Sequence, residues 1–191
     1  MTKSQTPDSI SGKPQTDDEL VLIKKAKQDA GAFEELYKQH VQAIYKYCYN
    51  RTGEQVEAED LTEQTFMAAL EGIQQYRDDG HFAAWLFSIA RRKVADYFRS
   101  KDRLSSQEIP EDIPMHSDFL GDVIRSERQK AISEIFNALP ENKKELIRLR
   151  YVADLNFATI AQLLHRSEGS VKKATYRTID QIRKKMEERY G

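Results

Sequence analysis

The sequence predicts an all-α fold: two small helical domains joined by a flexible linker, the C-terminal one a helix-turn-helix. Three observations predict it. Only eight glycines and five prolines occur in 191 residues, too few for a turn-rich β protein. Apolar residues recur at three- and four-residue spacing through most of the chain. One acidic stretch carrying Pro110 and Pro114 separates two such helical runs. The parts are a disordered tail over residues 1–16, a first domain over 17–101, a linker over 102–122 and a second domain over 123–191.

The chain is 32% charged and 39% hydrophobic, with a formal net charge of −1. That total gives no sign of a nucleic-acid binder, but the charge is sorted into blocks, and the blocks are informative. The single cysteine, Cys48, allows no internal disulfide, which fits a reducing compartment, and among its aromatic neighbours it reads as a small buried hydrophobe. No apolar run approaches the roughly 18–20 residues that span a bilayer, and the N-terminus lacks an apolar signal core. A soluble cytoplasmic protein without membrane insertion is expected.

Residues 1–16 are polar and without period, hence the expectation of disorder. Thr16 followed by Asp17, Asp18 and Glu19 gives a cap and an acidic first turn, opening a short helix through Leu20, Ile23 and Lys27. A second helix over residues 32–51 has Phe33, Leu36, Tyr37, Val41, Ile44 and Cys48 on its apolar face, and Gly53 ends it. A third, over 54–73, carries six acids in 18 residues and no base. Phe66, Leu70 and Ile73 form one apolar row there; Ala58, Leu61 and Ala68 form its neighbour.

Glu59 and Glu63 stand four apart, so both carboxylates share a face. A two-carboxylate metal or acid–base site lacks any nearby histidine or cysteine to complete it. The remaining readings are a solvated acidic face or a docking surface for a basic partner.

After a loop over 74–80, residues 81–103 form a fourth helix. Phe82, Leu86, Ala90, Val94 and Phe98 make its core stripe, with Ile89 beside them. Trp85, Ser88, Arg92 and Arg99 emerge elsewhere, and the segment 85–103 carries a net +4. Cations beside a ring suit a nucleic-acid strand, the cations meeting phosphates and the ring stacking on a freed base. The plainer reading is a solvated basic face with a tryptophan packed on a neighbour.

In the second domain, a helix over 123–137 has Ile124, Ile132, Ile135 and Phe136 as its apolar members. Pro140 and Glu141 restart a helix bearing Leu146, Ile147, Leu149 and Val152, which ends at 154–156. Residues 157–164 form a short helix, 165–169 a turn and 170–190 a long final helix with Val171, Thr175, Ile179, Ile182 and Met186 inside. Residues 166–190 carry a net +4. Two helices joined by a short glycine-bearing turn, the second one basic, make a helix-turn-helix. Glu168, Ser170, Lys172, Lys173, Tyr176 and Arg177 project near the N-terminal end of the last helix, the end that reaches base edges in a major groove.

Residues 58–66 (AEDLTEQTF), followed by 85–99 (WLFSIARRKVADYFR), resemble region two of the bacterial RNA polymerase sigma factors. Residues 139–177 resemble region four. The two together in a short chain are similar to the extracytoplasmic-function (ECF) group, over about residues 18–187. The resemblance implies a transcription initiation factor that binds core polymerase, directs it to promoters and promotes strand opening. It implies docking on the β′ clamp helices through Glu59, Asp60, Leu61, Glu63 and Gln64, with the β subunit as a further contact. It implies minus-ten recognition and melting through the loop with Tyr76, Arg77 and Asp78, then His81, Trp85, Arg91, Arg92, Lys93 and Arg99. It implies minus-thirty-five reading through Arg166, Ser167, Glu168, Ser170, Lys172, Lys173, Tyr176 and Arg177. Promoter DNA and, where one exists, an anti-sigma factor are the other partners implied.

Two positions depart from the family pattern. Lys173-Ala174 stands where Ser-Arg is usual, which removes one expected DNA contact, and Arg92 stands where Asn is usual. Other classes fit less well. A sigma-like mimic that regulates without polymerase docking should lose the basic, aromatic face, and an ordinary helix-turn-helix regulator needs no acidic helix. An enzyme would need a phosphate-binding glycine loop or metal-ligand spacing; neither is present, and the four histidines are scattered, so no catalytic residue, metal or cofactor is expected.

Overall fold

The computed structural model describes residues 17–77, 81–104 and 127–190. The expected tail, the linker from residue 105, Asp78, Gly80 and Ile124 lie outside these residues. Among the described residues eight α-helices form and no strand occurs. They are α1 (Asp17–Ala26), α2 (Ala30–Thr52), α3 (Gln55–Gly72), α4 (Phe82–Leu104), α5 (Glu127–Asn137), α6 (Glu141–Ile147), α7 (Phe157–Leu164) and α8 (Glu168–Tyr190). None of them is long and apolar enough to cross a membrane.

Local chemistry sets the boundaries. Asp29 is extended at φ −136°, and its carboxylate accepts from Gly31 N at 2.9 Å, starting α2. Gly53 takes φ 73° and returns its N–H to Tyr49 O at 2.8 Å, stopping it. Pro140 precedes α6, as expected of a residue whose missing N–H costs nothing there. The α6 helix then widens into a π turn over Arg148–Val152, where Ala153 N reaches back five residues to Arg148 O at 2.9 Å. Asp154 follows at φ 53°, an uncommon conformation for a residue with a Cβ. Asn156 caps α7 by accepting from Thr159 N at 2.7 Å, and His165 closes it at φ 52°.

α2, α3 and α4 pack around Leu36, Ile44, Ala58, Phe82, Leu86 and Phe87. α6, α7 and α8 close around Leu149, Ile160 and Val171, with α5 resting on α8. The two halves touch: α7 packs on α4 and the π turn on α2, so the buried apolar cluster runs through both. Cys48 is fully buried, and burial pushes its thiol up to about 12.

Three residues that spacing assigns to inner faces lie outside: Tyr37, Leu70 and Ile132 are 41%, 43% and 39% exposed. Periodicity places a residue on a face but cannot say where the neighbouring helix ends. Tyr47, absent from the expected apolar face of α2, is instead 1% exposed. The final helix also begins two residues early, at Glu168, because the Ser167 hydroxyl accepts from Ser170 N at 3.3 Å and caps it.

Candidate nucleic-acid interface

The acidic helix α3 turns its carboxylates outward. Glu59, Asp60, Glu63 and Gln64 are exposed. Gln55 donates to Glu59 at 2.8 Å and Gln64 to Asp60 at 2.6 Å, which steadies two carboxylates along the face. Leu61, expected among the docking residues, is only 2% exposed; it anchors α3 to the core and cannot itself touch a partner. Thr62 and Thr65 are buried too, their hydroxyls donating to Ala58 O and Leu61 O, both at 2.6 Å.

Between α2 and α3 lies an open groove. Its floor is Phe33, Tyr37, Phe66, Met67 and Leu70, and Glu59 and Glu63 form its rim. Tyr37 meets Phe66 edge-on at 4.7 Å, and Met67 is 54% exposed. Tyr45 also lines it; partial burial and the Glu59 charge raise its pKa. The apolar floor is not evident from sequence, because helical spacing assigns Tyr37 and Leu70 to the core.

The second surface forms where the turn after α3 meets α4. Lys27 Nζ donates to Tyr76 O at 2.8 Å and Gln74 bonds Lys27 O, tying this turn to the end of α1. Tyr76 is 6% exposed, its ring 5.0 Å from Trp85 and 5.6 Å from Phe82. His81 N donates to the Tyr76 hydroxyl at 3.2 Å. Tyr76 therefore shapes the site from beneath rather than facing a ligand, a correction to the sequence expectation. Trp85 is half-buried on Phe82 and Tyr76, with part of the indole open. Arg77 and Arg92 are exposed; His81, Arg91 and Lys93 are half-buried. Arg99 is exposed and paired with Asp96.

A cavity joins Gln75, Arg77, His81 and Trp85 to Gln162 of α7 and to its cap residue His165, so the second half of the chain supplies one wall. Arg91 is likewise engaged across the halves: its Nε donates to Glu145 at 2.7 Å.

The third surface is the α7–α8 hairpin. Val171, Thr175 and Thr178 seat α8 on the core, and Lys172, Lys173 and Arg177 stand exposed on the opposite side. Arg166 donates to Ser170 at 2.9 Å at the helix start, beside exposed Ser167 and Glu168. Tyr176 is half-buried, its ring 5.8 Å from Phe157. Lys172 lies over the Phe157 ring at 5.9 Å and Arg150 at 4.8 Å. Phe157 and Arg150 were not singled out from sequence; Phe157 meets Lys172 and Tyr176 across the hairpin, and Arg150 covers the same ring. Ala174 is half-buried against the core, so this departure from the family pattern falls on the packed side of α8. No group of three or more histidine, cysteine, aspartate or glutamate residues that could hold a metal occurs among the described residues.

Comparison with known proteins agrees with the two-part reading. The family described as Sigma-70 region 2 matches residues 36–104, and the one described as Sigma-70, region 4 matches residues 129–182. The ECF RNA polymerase sigma factor ShbA of Streptomyces griseus is 30% identical over 187 residues, covering 87% of this chain and 96% of that protein. The ECF RNA polymerase sigma factor BldN of Streptomyces coelicolor is 32% identical over 174 residues; the match covers 84% of this chain but only 62% of that longer protein. Among solved structures, the sigma factor RpoE of Bartonella quintana, crystallised with the anti-sigma factor NepR, superimposes with a TM-score of 0.63 at 20% identity. That match covers 81% of this chain and 96% of the other, and it concerns the fold.

Proposed function

The chain belongs to the ECF RNA polymerase sigma factors, and we propose that it binds core RNA polymerase, brings it to specific promoters and promotes strand opening through the three surfaces just described. The α2–α3 groove is the docking face. Its apolar floor supplies burial and its acidic rim supplies attraction to a basic partner, through Glu59, Asp60, Glu63 and Gln64. The partner assigned to it is the pair of β′ clamp helices, with the β subunit contacting the second domain.

The α4 surface handles the minus-ten element. Trp85 offers a ring edge for a displaced base; Arg77, Arg91, Arg92 and Lys93 offer charge to the backbone. Base unstacking is then driven by binding, without bond chemistry. The N-terminal turns of α8 read the minus-thirty-five element through Ser170, Lys172, Lys173 and Arg177. Arg166, Ser167 and Glu168 shape the entry to that helix, and Tyr176 braces it on Phe157. The domain limits 17–101 and 123–191, the cytoplasmic site of action and recognition by an anti-sigma factor belong to the same proposal.

The observation that carries this reading is the presence, in one chain, of an acid-rimmed apolar groove and a basic, outward-facing helix-turn-helix. A regulator acting on DNA alone has no use for the groove. The test is reconstitution with core polymerase, followed by selection of transcribed promoters from a random pool. Recovery of one two-part motif supports the proposal; transcripts that start without sequence preference reject it.

A further inference from the structure

The contact between the two halves is built around a buried charge. The side chain of Glu145, on α6, is 8% exposed. Its carboxylate accepts from the Tyr47 hydroxyl at 3.0 Å, from Arg91 Nε at 2.7 Å and from Arg51 Nη1 at 3.3 Å. All three donors belong to the first domain. Beside it, Arg51 reaches Glu141 at 2.6 Å, Arg148 reaches Glu141 at 2.5 Å, and Arg148 Nε donates to Asn50 at 3.0 Å.

Two guanidinium groups and a hydroxyl converging on one pair of anionic oxygens is a donor set suited to a phosphodiester. We propose that Tyr47, Arg51 and Arg91 form a binding site for a DNA backbone phosphate, and that Glu145 fills it in the free chain, latching the second domain over the strand-facing surface. This inference rests on the assignment of the α4 surface to the displaced DNA strand.

Location supports the latch. The docking that seats Glu145 also brings Gln162 and His165 against the cavity beside Trp85. A strand approaching Trp85 and Arg91 meets α7 and a carboxylate instead. Lys172, Lys173 and Arg177 take no part in this contact and stay exposed, so the closed chain withholds the strand surface while leaving the duplex-reading helix free.

Energetics suit a latch that opens. A buried ion pair is held by attraction offset by desolvation, so separating both partners into water costs little, whereas removing one partner leaves the other stranded. A phosphate entering as Glu145 leaves restores the first domain's bonds.

The test uses the full chain with donor and acceptor dyes on Lys38→Cys in α2 and Glu187→Cys in α8, both exposed positions. Cys48 is buried and does not compete for label. Energy transfer reports the separation of the halves; a mixed-sequence single-stranded DNA reports strand binding. Glu145→Lys is expected to lower energy transfer and to tighten strand binding about tenfold, a coupling of ordinary size. The double variant Tyr47→Phe/Arg51→Gln opens the chain from the other side, in case Glu145→Lys does not fold. It is expected to lower energy transfer too, yet to bind the strand more weakly than Glu145→Lys, having lost its own phosphate contacts.

Unchanged energy transfer in both variants, with native helicity, overturns the latch. Strand binding by the double variant as tight as by Glu145→Lys overturns the phosphate site. Opening without any gain in strand binding by Glu145→Lys supports the latch and rejects the strand-facing role given to Trp85 and Arg91.

Discussion

The indole of Trp85 covers Gly72 so closely that a methyl group on the glycine would stand 3.3 Å from Cζ2 of the ring. The end of α3 thus sets the height of the tryptophan proposed to meet the displaced strand. Gly72→Ala should displace the ring by a few tenths of an ångström, and Gly72→Val by more. Both should leave core polymerase binding intact while slowing promoter opening, read as permanganate reactivity of unpaired thymines. Opening at the wild-type rate in Gly72→Val would show that the ring height is immaterial.

Docking should depend on the acidic rim. Glu59 and Asp60 are exposed and serve no core contact, so exchanging both for Lys should leave the helical circular dichroism near wild type. Capture of core polymerase on immobilised protein should be lost. Capture at the wild-type level would remove the docking role from α3.

Lys172, Lys173 and Arg177 should each contribute to upstream DNA binding. Replacing one by Ala should lower the salt slope of holoenzyme–promoter binding by about one unit for a phosphate contact. A lost base contact should in addition relax preference at one position, by ~1–3 kcal/mol. Salt slopes and sequence preference identical to wild type in all three variants would assign the reading to another element.

Alkali should destabilise the first domain through Cys48. Burial raises its pKa from 9.0 to about 12, with its hydrogen bond to Thr62 and the charge of Arg51 acting the other way. The unfolded thiol loses its proton first, so the stabilisation is complete below the unfolded pKa and is lost as pH rises through the folded one. Between about pH 8 and about pH 10, wild type should lose on the order of 1 kcal/mol more than Cys48→Ala in urea unfolding. Equal losses would mean that the thiol is not the titrating group.

Much of this architecture is legible in the sequence because its signals are local. Gly53 marks the end of α2, and Pro140 and Glu141 mark the start of α6. The basic face of α8 follows from spacing once Val171 and Thr175 point inward. What escapes the sequence depends on partners far along the chain. Tyr47 and Glu145 are 98 residues apart, and nothing near either one announces the other. Leu61 and Tyr76 sit inside motifs of functional residues, yet packing claims both. Conversely Tyr37 and Leu70 keep a helical apolar spacing while facing the groove, since a groove face and a core face share one period.

The most direct measurement is a titration of promoter DNA at moderate salt by the protein alone and by the protein with core polymerase. The chain is nearly neutral overall, its acidic α3 repels phosphates, and Gln162 and Leu163 of α7 wall the cavity beside Trp85. As proposed, core polymerase would cover the acidic groove and hold both DNA-binding surfaces at promoter spacing. The account predicts weak binding by the free protein and tight, sequence-specific binding only with core present. Tight, sequence-specific binding by the free protein would contradict it.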